Sequence, residues 1–172
     1  MRNGNSKMIE RHNSQRGWFA YELYQQMEKD PDVWVVTADL GFGMLDHIRD
    51  SFPDRFINVG AAEQTAIGVA VGLAIEHKKP FVYSITPFLL RRPYEAIKLY
   101  LDGDRYPVRL VGGGRDKDYH IDGPSHDASD AHDLLKTLPH IQQLWPLDKE
   151  DVPAMVKYMV DVDKPWFISL KR

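Results

Sequence analysis

An α/β domain of three layers, a parallel sheet with helices on both faces, is what the sequence predicts, and three observations carry that prediction. Short apolar segments alternate with helical patterns along most of the chain, the order that builds parallel sheets from crossover units. The first such segment, Val33 to Ala38, is mostly apolar, as expected of a strand buried on both faces. The stretch Arg55 to Ile75, RFINVGAAEQTAIGVAVGLAI, runs from a short apolar strand through Gly60 into a helix of small residues. At 172 residues the chain fits one domain, large enough to bury roughly 70 percent of its unfolded surface. That domain is expected over residues 14–172, after a polar, poorly ordered arm at 1–13.

Each element has its own warrant. Phe19, Leu23 and Met27 recur at i, i+4 spacing with polar residues between them, predicting the first helix. Asp30-Pro31-Asp32 ends it, because proline disfavours helix in the residue before it. Strands follow at Val33 to Ala38, Phe56 to Val59, Pro80 to Ile85, Pro107 to Val111, Ile141 to Trp145 and Trp166 to Leu170. Helical patterns separate most of them, at Ala61 to His77, Phe88 to Leu101, Ala128 to Thr137 and Lys149 to Val160. No internal repeat or long linker interrupts the series.

Composition removes several function classes. A net charge of −3 gives no reason to expect nucleic acid or an anionic membrane as partner. The absence of cysteine excludes disulfides, thiolate zinc sites and cysteine nucleophiles. The first fifteen residues, MRNGNSKMIERHNSQ, lack the apolar core of a signal peptide, and no apolar run approaches the ~20 residues of a membrane span. A soluble cytoplasmic protein is the expectation.

Chemistry is concentrated first at Glu63, an acid in the first turn of an otherwise apolar helix. A carboxylate there must find a partner or change its protonation state, because an unpaired buried charge is prohibitive. The plain alternative is that it stabilises the helix N-terminus through the macrodipole. The small residues around it let another backbone, subunit or flat ligand approach closely. Phe88, at a strand-to-helix junction, reads by itself as a core aromatic rather than a cofactor contact. Arg91 stands four residues before Glu95, within reach of an ordinary helix ion pair. Gly112-Gly113-Gly114 follows a predicted strand, where parallel sheets build ligand crevices; a mobile loop is expected there rather than an anion nest. His126, Asp127, Asp130, His132 and Asp133 crowd together, which raises a zinc or manganese site as an alternative. Ser129 and Asp130 equally make an ordinary helix start. Asp39 closes the first strand, where an aspartate capping a turn is routine.

Four stretches in one order change the weight of these readings: TADLGFG (Thr37 to Gly43), NVGAAEQ (Asn58 to Gln64), YSITPFLLRRPYEAI (Tyr83 to Ile97) and DGPSHDASD (Asp122 to Asp130). Together they resemble the pyrimidine-binding domain of transketolase and of 1-deoxyxylulose-5-phosphate synthase, over nearly the whole chain from about Gly17. The resemblance implies thiamine diphosphate as cofactor. Glu63 would then bond N1′ of the aminopyrimidine ring and help to activate the cofactor, a task for a carboxyl able to hold a proton near neutral pH. It places Phe88 against that ring, where an offset stack adds about 0.5–1.5 kcal/mol. Asp39 and Leu40 would line the cofactor site, and Asp122 and His126 would contact sugar hydroxyls and reacting oxygens, a role suited to histidine. At Arg91 the sequence follows the synthase rather than transketolase, which has a second aromatic there, so Arg91 is a candidate for binding substrate anions.

The resemblance also implies a division of labour. No Gly-Asp-Gly occurs, the motif by which these enzymes hold the diphosphate through magnesium, and the sequence stops at Lys171-Arg172, after the last predicted strand. The chain is therefore expected to be the pyrimidine-binding small subunit of a split enzyme, with magnesium held by a separate diphosphate-binding subunit. The pair is expected as a heterotetramer transferring a two-carbon ketol or acyl unit between sugar or keto-acid substrates. A synthase-like ligation, a split 2-oxoacid decarboxylase of the sulfopyruvate decarboxylase kind, and a non-catalytic partner-binding domain are the alternatives.

Overall fold

A computed structural model describes residues 12–172. Of the expected arm, all but His12 and Asn13 therefore lies outside the described residues. In chain order the elements are α1 (Gln15–Lys29), β1 (Val33–Thr37), α2 (Asp46–Ser51), β2 (Phe56–Asn58), α3 (Glu63–Ile75), β3 (Lys79–Ile85), α4 (Thr86–Arg91), α5 (Tyr94–Ala96), β4 (Arg109–Gly113), α6 (Ala131–Lys136), β5 (Gln142–Leu144), α7 (Val152–Asp161) and β6 (Trp166–Leu170). The six strands form one sheet in the order β2-β1-β3-β4-β6-β5, and every pairing is parallel.

Strand side chains alternate between two cores, as the two-residue period of a strand requires. Val33, Val35, Phe81, Tyr83, Val111, Ile168 and Leu170 point to the face covered by α1, α2 and α7, where Phe19, Leu23, Met27, Ile48 and Met159 are buried. Val36, Val82, Leu110 and Phe167 point to the other face, against Ala66, Ile67 and Ala70 of α3, Leu89 and Leu90 of α4 and Leu135 of α6. The three-layer α/β arrangement expected from the sequence is thus the one found.

α1 begins where Ser14 Oγ accepts from the Gly17 N–H at 3.1 Å. It ends under Arg55, whose guanidinium donates to the carbonyls of Met27 and Asp30 at 2.8 and 2.9 Å, filling acceptors that a helix C-terminus leaves open. The short helix α2 has too few periodic residues to be read from the sequence. The helix expected as continuous from Phe88 to Leu101 is broken. Pro93 lacks the N–H that would extend α4, and α5 runs on into a wide π-type turn at Ile97–Gly103.

Gly112 and Gly113 are not a loop but the last two residues of β4. A Cβ at Gly112 would stand 2.5 Å from Thr86 Oγ1, and one at Gly113 2.5 Å from Tyr83 Oη. The glycines thus leave room for the side chains of Tyr83 in β3 and Thr86 at the start of α4. Gly114 then turns at φ +82°, and Arg115 roots the segment beyond it: buried near Trp145, it donates to Ser169 Oγ, the Ser169 carbonyl and the Pro146 carbonyl.

Asp102, in the π-type turn, has a buried carboxylate that accepts from Lys98 Nζ at 2.7 Å and from the His140 N–H at 2.8 Å. Burial pushes this carboxyl up, but those two hydrogen bonds and the adjacent cations outweigh it and hold the group below the usual carboxylate value. A depressed folded-state value stabilises above the unfolded value and is lost as pH falls through the folded one. Asp102→Asn should therefore lose on the order of 1 kcal/mol near pH 7. Urea denaturation should show that gap closing below about pH 4; a gap of equal size at pH 7 and pH 3 would contradict the argument.

Candidate active site

β1 leads outward to β2 while β3 leads the other way to β4, so the carboxyl ends of β1 and β3 form the switch point at which such sheets bind ligands. Glu63 opens α3 just beyond β2, and α4 begins directly after β3. α4 packs on β3, β4, α6 and the Pro124–His126 turn, which draws the segment after β4 over the same edge.

Glu63 is the centre of this edge. Its residue is 3 % exposed, and no side chain caps the helix before it. Both carboxylate oxygens accept from Arg92 Nη1, each at 2.9 Å, and Oε1 also accepts from the buried Ser84 hydroxyl at 3.4 Å. Of the two outcomes the apolar α3 sequence allows, a partner or a changed protonation state, the structure shows the partner, and it comes from the end of a neighbouring helix. Arg92 lies one helical turn after Phe88, and its Cζ stands 3.9 Å from the Phe88 ring centroid. The guanidinium is thus held between a carboxylate and an aromatic face. The Phe88–Arg92 spacing of i,i+4 is the sequence signal that could have found this residue.

Phe88 also meets His126, edge to face, with ring centroids 4.8 Å apart. His126 Nδ1 lies 3.0 Å from Ser125 Oγ. The Tyr119 ring is 6.2 Å from His126, and Tyr119 Oη accepts from Arg16 Nη1 at 2.8 Å. Gly123, at φ +86°, turns the chain between Asp122 and the Pro124–His126 turn, and Asp122 is exposed. Glu63, Phe88 and His126 are therefore brought to one edge.

Arg91 and Asp130 depart from the sequence reading. Arg91 does not pair with Glu95; its Nη2 and Nε donate to the two Asp130 oxygens at 2.6 and 3.2 Å, and Nη2 also donates to the Asp127 carbonyl at 2.8 Å. Asp130 precedes α6 without capping it through its side chain, because that carboxylate is committed to Arg91. Ser129, hydroxyl first and then N–H, holds the Asp127 carboxyl below its usual range, with Lys117 and Arg91 adding to the effect. His132 stacks on Trp145 at 3.7 Å, and among the described residues no group of three or more His, Asp or Glu is placed to hold a metal ion.

Asp39 and Leu40 lie just beyond the end of β1. Asp39, at φ +57°, exchanges hydrogen bonds with the Asn58 side chain at 2.9 and 3.2 Å. Leu40 lines a cavity of about 250 Å³ with Thr37, Phe42, Phe56 and Asn58. A second cavity of about 260 Å³ lies among His12, Ser14, Arg16, Phe42 and Met44, where Arg16 Nε is buried without a hydrogen-bond partner. Among the described residues no helix is long and apolar enough to cross a membrane.

Residues 14–172 match the family model described as transketolase, pyrimidine binding domain. The chain is 29% identical over 155 residues to an apulose-4-phosphate transketolase subunit of Phocaeicola vulgatus, covering 90% of this chain and 50% of that protein. It is 31% identical over 162 residues to 1-deoxy-D-xylulose-5-phosphate synthase of Nitratidesulfovibrio vulgaris, covering 90% of this chain and 24% of that one. Among solved structures, a split-gene transketolase in an inactive β4 tetramer superimposes with a TM-score of 0.82 at 28% identity, over 93% of this chain and 52% of that chain. The chain thus spans about half or less of the length of the relatives it matches.

The Arg91–Asp130 contact ties α4 to the segment before α6, and both side chains are more than a third exposed. A double-mutant cycle of Arg91→Ala and Asp130→Ala should give a coupling of a few tenths to about 1 kcal/mol. Zero coupling by thermal or urea denaturation would show that the pair does not hold the two segments together.

Proposed function

The chain belongs to the transketolase pyrimidine-binding domain family, and on that premise we propose that it is the pyrimidine-binding subunit of a two-component, thiamine-diphosphate-dependent transketolase-like enzyme. The enzyme would act in the cytoplasm, transferring a two-carbon ketol or acyl unit between sugar or keto-acid substrates. Residues 14–172 would form its single pyrimidine-binding domain.

One observation carries this reading: a buried carboxylate and an aromatic face hold a planar, N–H-donating group between them. Arg92 fills that position in the free chain, and a flat aminopyrimidine ring has the same requirements, so the residues present fit the cofactor. Bound there, thiamine diphosphate would supply the carbon centre that takes up and releases the transferred unit. Glu63 would hold and exchange a proton at the ring nitrogen. Phe88 would offer the stacking face. His126, whose edge already rests on Phe88, would move a proton at a substrate oxygen, and Asp122 would accept from a substrate hydroxyl. Asp39 and Leu40 would form the wall of the site reached from β1. Arg91 would bind a substrate anion only in competition with Asp130, so its first task is to fix the segment that carries His126. The cavity beside Arg16 offers a substrate's anionic end a cation at the same edge.

A separate diphosphate-binding subunit would hold the diphosphate and magnesium. The relative named as a transketolase subunit and the relative solved from a split gene support such a division. α3 offers a surface for association: Gly68 and Gly72 are exposed, with nothing within 4 Å of where a Cβ would stand, and Ile75 is 52% exposed. Light scattering should find the chain self-associated alone and in a heterotetramer with its partner; a stable monomer under both conditions would refute this. The 31% identity to 1-deoxy-D-xylulose-5-phosphate synthase keeps ligation of a two-carbon unit to an aldehyde as a second reading, separated from transfer by an acceptor screen of the assembled enzyme.

Glu63→Gln keeps the shape of the side chain but not its proton exchange. In the assembled enzyme it should lower turnover by about 10²–10⁴ while leaving assembly intact; full activity would end the proton-exchange role. His126→Ala should lower kcat/KM by about 10²–10³ with the KM for thiamine diphosphate nearly unchanged. A rise in that KM matching the lost turnover would place His126 on the cofactor instead.

A further inference from the structure

The Arg92 side chain is 49% exposed, whereas that of its partner Glu63 is 3% exposed. The cation therefore reaches in from solvent to a slot whose walls belong to other residues. Nη1 lies 2.9 Å from both carboxylate oxygens, and the guanidinium carbon lies 3.9 Å from the Phe88 centroid. Arg92 belongs to neither apolar core. Its long stem has several rotatable bonds, so the head can leave the slot without moving the backbone or opening either core.

What the guanidinium does in the slot is what a flat nitrogen heterocycle would have to do there. It is planar, so it stacks on an aromatic face. It presents N–H groups in its plane, so it satisfies a carboxylate edge-on. A saturated ring would fail at Phe88, and an aromatic hydrocarbon would leave Glu63 buried and unpaired, which is costly.

We propose that Arg92 is an internal occupant of the slot between Glu63 and Phe88, and that a flat nitrogen heterocycle binds by exchange, entering as the guanidinium swings out to solvent. The proposal rests on the reading of Glu63 and Phe88 as the ring-binding pair. It has three consequences. The apparent affinity for the ring is reduced by the fraction of molecules in which Arg92 is out. Only a ligand that both stacks and donates to the carboxylate replaces everything Arg92 supplied, so the residue acts as a selectivity filter. Exchange also removes a fixed cation from Glu63, which frees that carboxylate for the ring nitrogen.

The full-length chain, titrated with 4-amino-5-hydroxymethyl-2-methylpyrimidine and followed by NMR, tests this without a partner subunit or turnover. Arg92→Ala, and Arg92→Met as the variant that keeps the apolar stem, should bind the pyrimidine about tenfold tighter or better than the parent chain. In the parent chain the ring-shifted Arg92 side-chain signals should move to free-arginine positions as the pyrimidine is added. Phe88→Ala in the Arg92→Met background should abolish the gain. If Phe88→Ala weakens binding but both Arg92 variants bind no tighter than the parent, Arg92 is a wall of the site and the exchange is wrong, while the ring-binding pair stands. If neither Phe88→Ala nor Glu63→Gln alters binding in any background, the ring-binding pair itself falls and the exchange falls with it. Absence of measurable binding by every Arg92 variant also overturns the exchange.

Discussion

A buried carboxylate at the start of an apolar helix is the constraint around which this edge of the molecule is arranged. Glu63 gains a little from the positive end of α3, but a dipole at a helix terminus does not compensate for removing a full charge from water. α3 itself offers no cation, since the helix from Glu63 to Ile75 has no basic residue. The partner must come from another element, and it comes from the end of α4. Everything that fixes α4 therefore bears on Glu63: the Thr86 hydroxyl on the Gly114 carbonyl at 2.6 Å, the buried Leu89 and Leu90, and Pro93, which stops the helix directly after the arginine.

Two consecutive arginines then do different work because they are consecutive. Successive helical residues point about 100° apart, so Arg91 and Arg92 set out in different directions and meet different partners. Arg91 reaches the segment before α6 and closes on Asp130; Arg92 reaches across to α3 and closes on Glu63. One short helix thereby ties the segment that carries His126 to the helix that carries Glu63. The glycines at the end of β4 are the steric condition for this, since Thr86 and Tyr83 lie where their side chains would otherwise stand.

The sheet was legible in the sequence because buried parallel strands leave a strong signal: runs such as Val33 to Ala38 have no polar face to confuse. Phe19, Leu23 and Met27 announced α1 for the same reason, a periodicity set by one core. What could not be read was pairing across elements. Nothing local distinguishes the Arg91–Glu95 pair that helix spacing suggests from the Arg91–Asp130 pair that forms, because the choice depends on where α6 packs. The glycine run misled in the same way: three glycines in sequence look like a loop, and only the pairing with β3 and β6 shows that two of them belong to a strand. Glu63 was visible as a chemical oddity and Phe88 only through the resemblance, whereas Arg92 was hidden by its more conspicuous neighbour.

If, as proposed, the chain carries only part of a catalytic site, it meets a folding problem that a complete enzyme does not. On the proposed function, Glu63 is placed for a ligand that arrives only with another subunit, yet α3 must form and pack beforehand. A charge at 3% exposure with nothing to meet would oppose that packing. Replacing it by an apolar residue would remove the difficulty together with the chemistry. A half-exposed arginine at the end of an adjacent helix would resolve the conflict, because it pairs with the carboxylate in the lone chain and, on the proposed exchange, leaves for the ligand. A lysine would neutralise the charge but would not lie flat on Phe88. An acid–arginine pair rooted in the core would be equally stabilising, but it would not open. The position of Arg92, half-exposed yet closed on a buried partner, would therefore satisfy both the stability of the lone chain and, on the proposed exchange, access to its site.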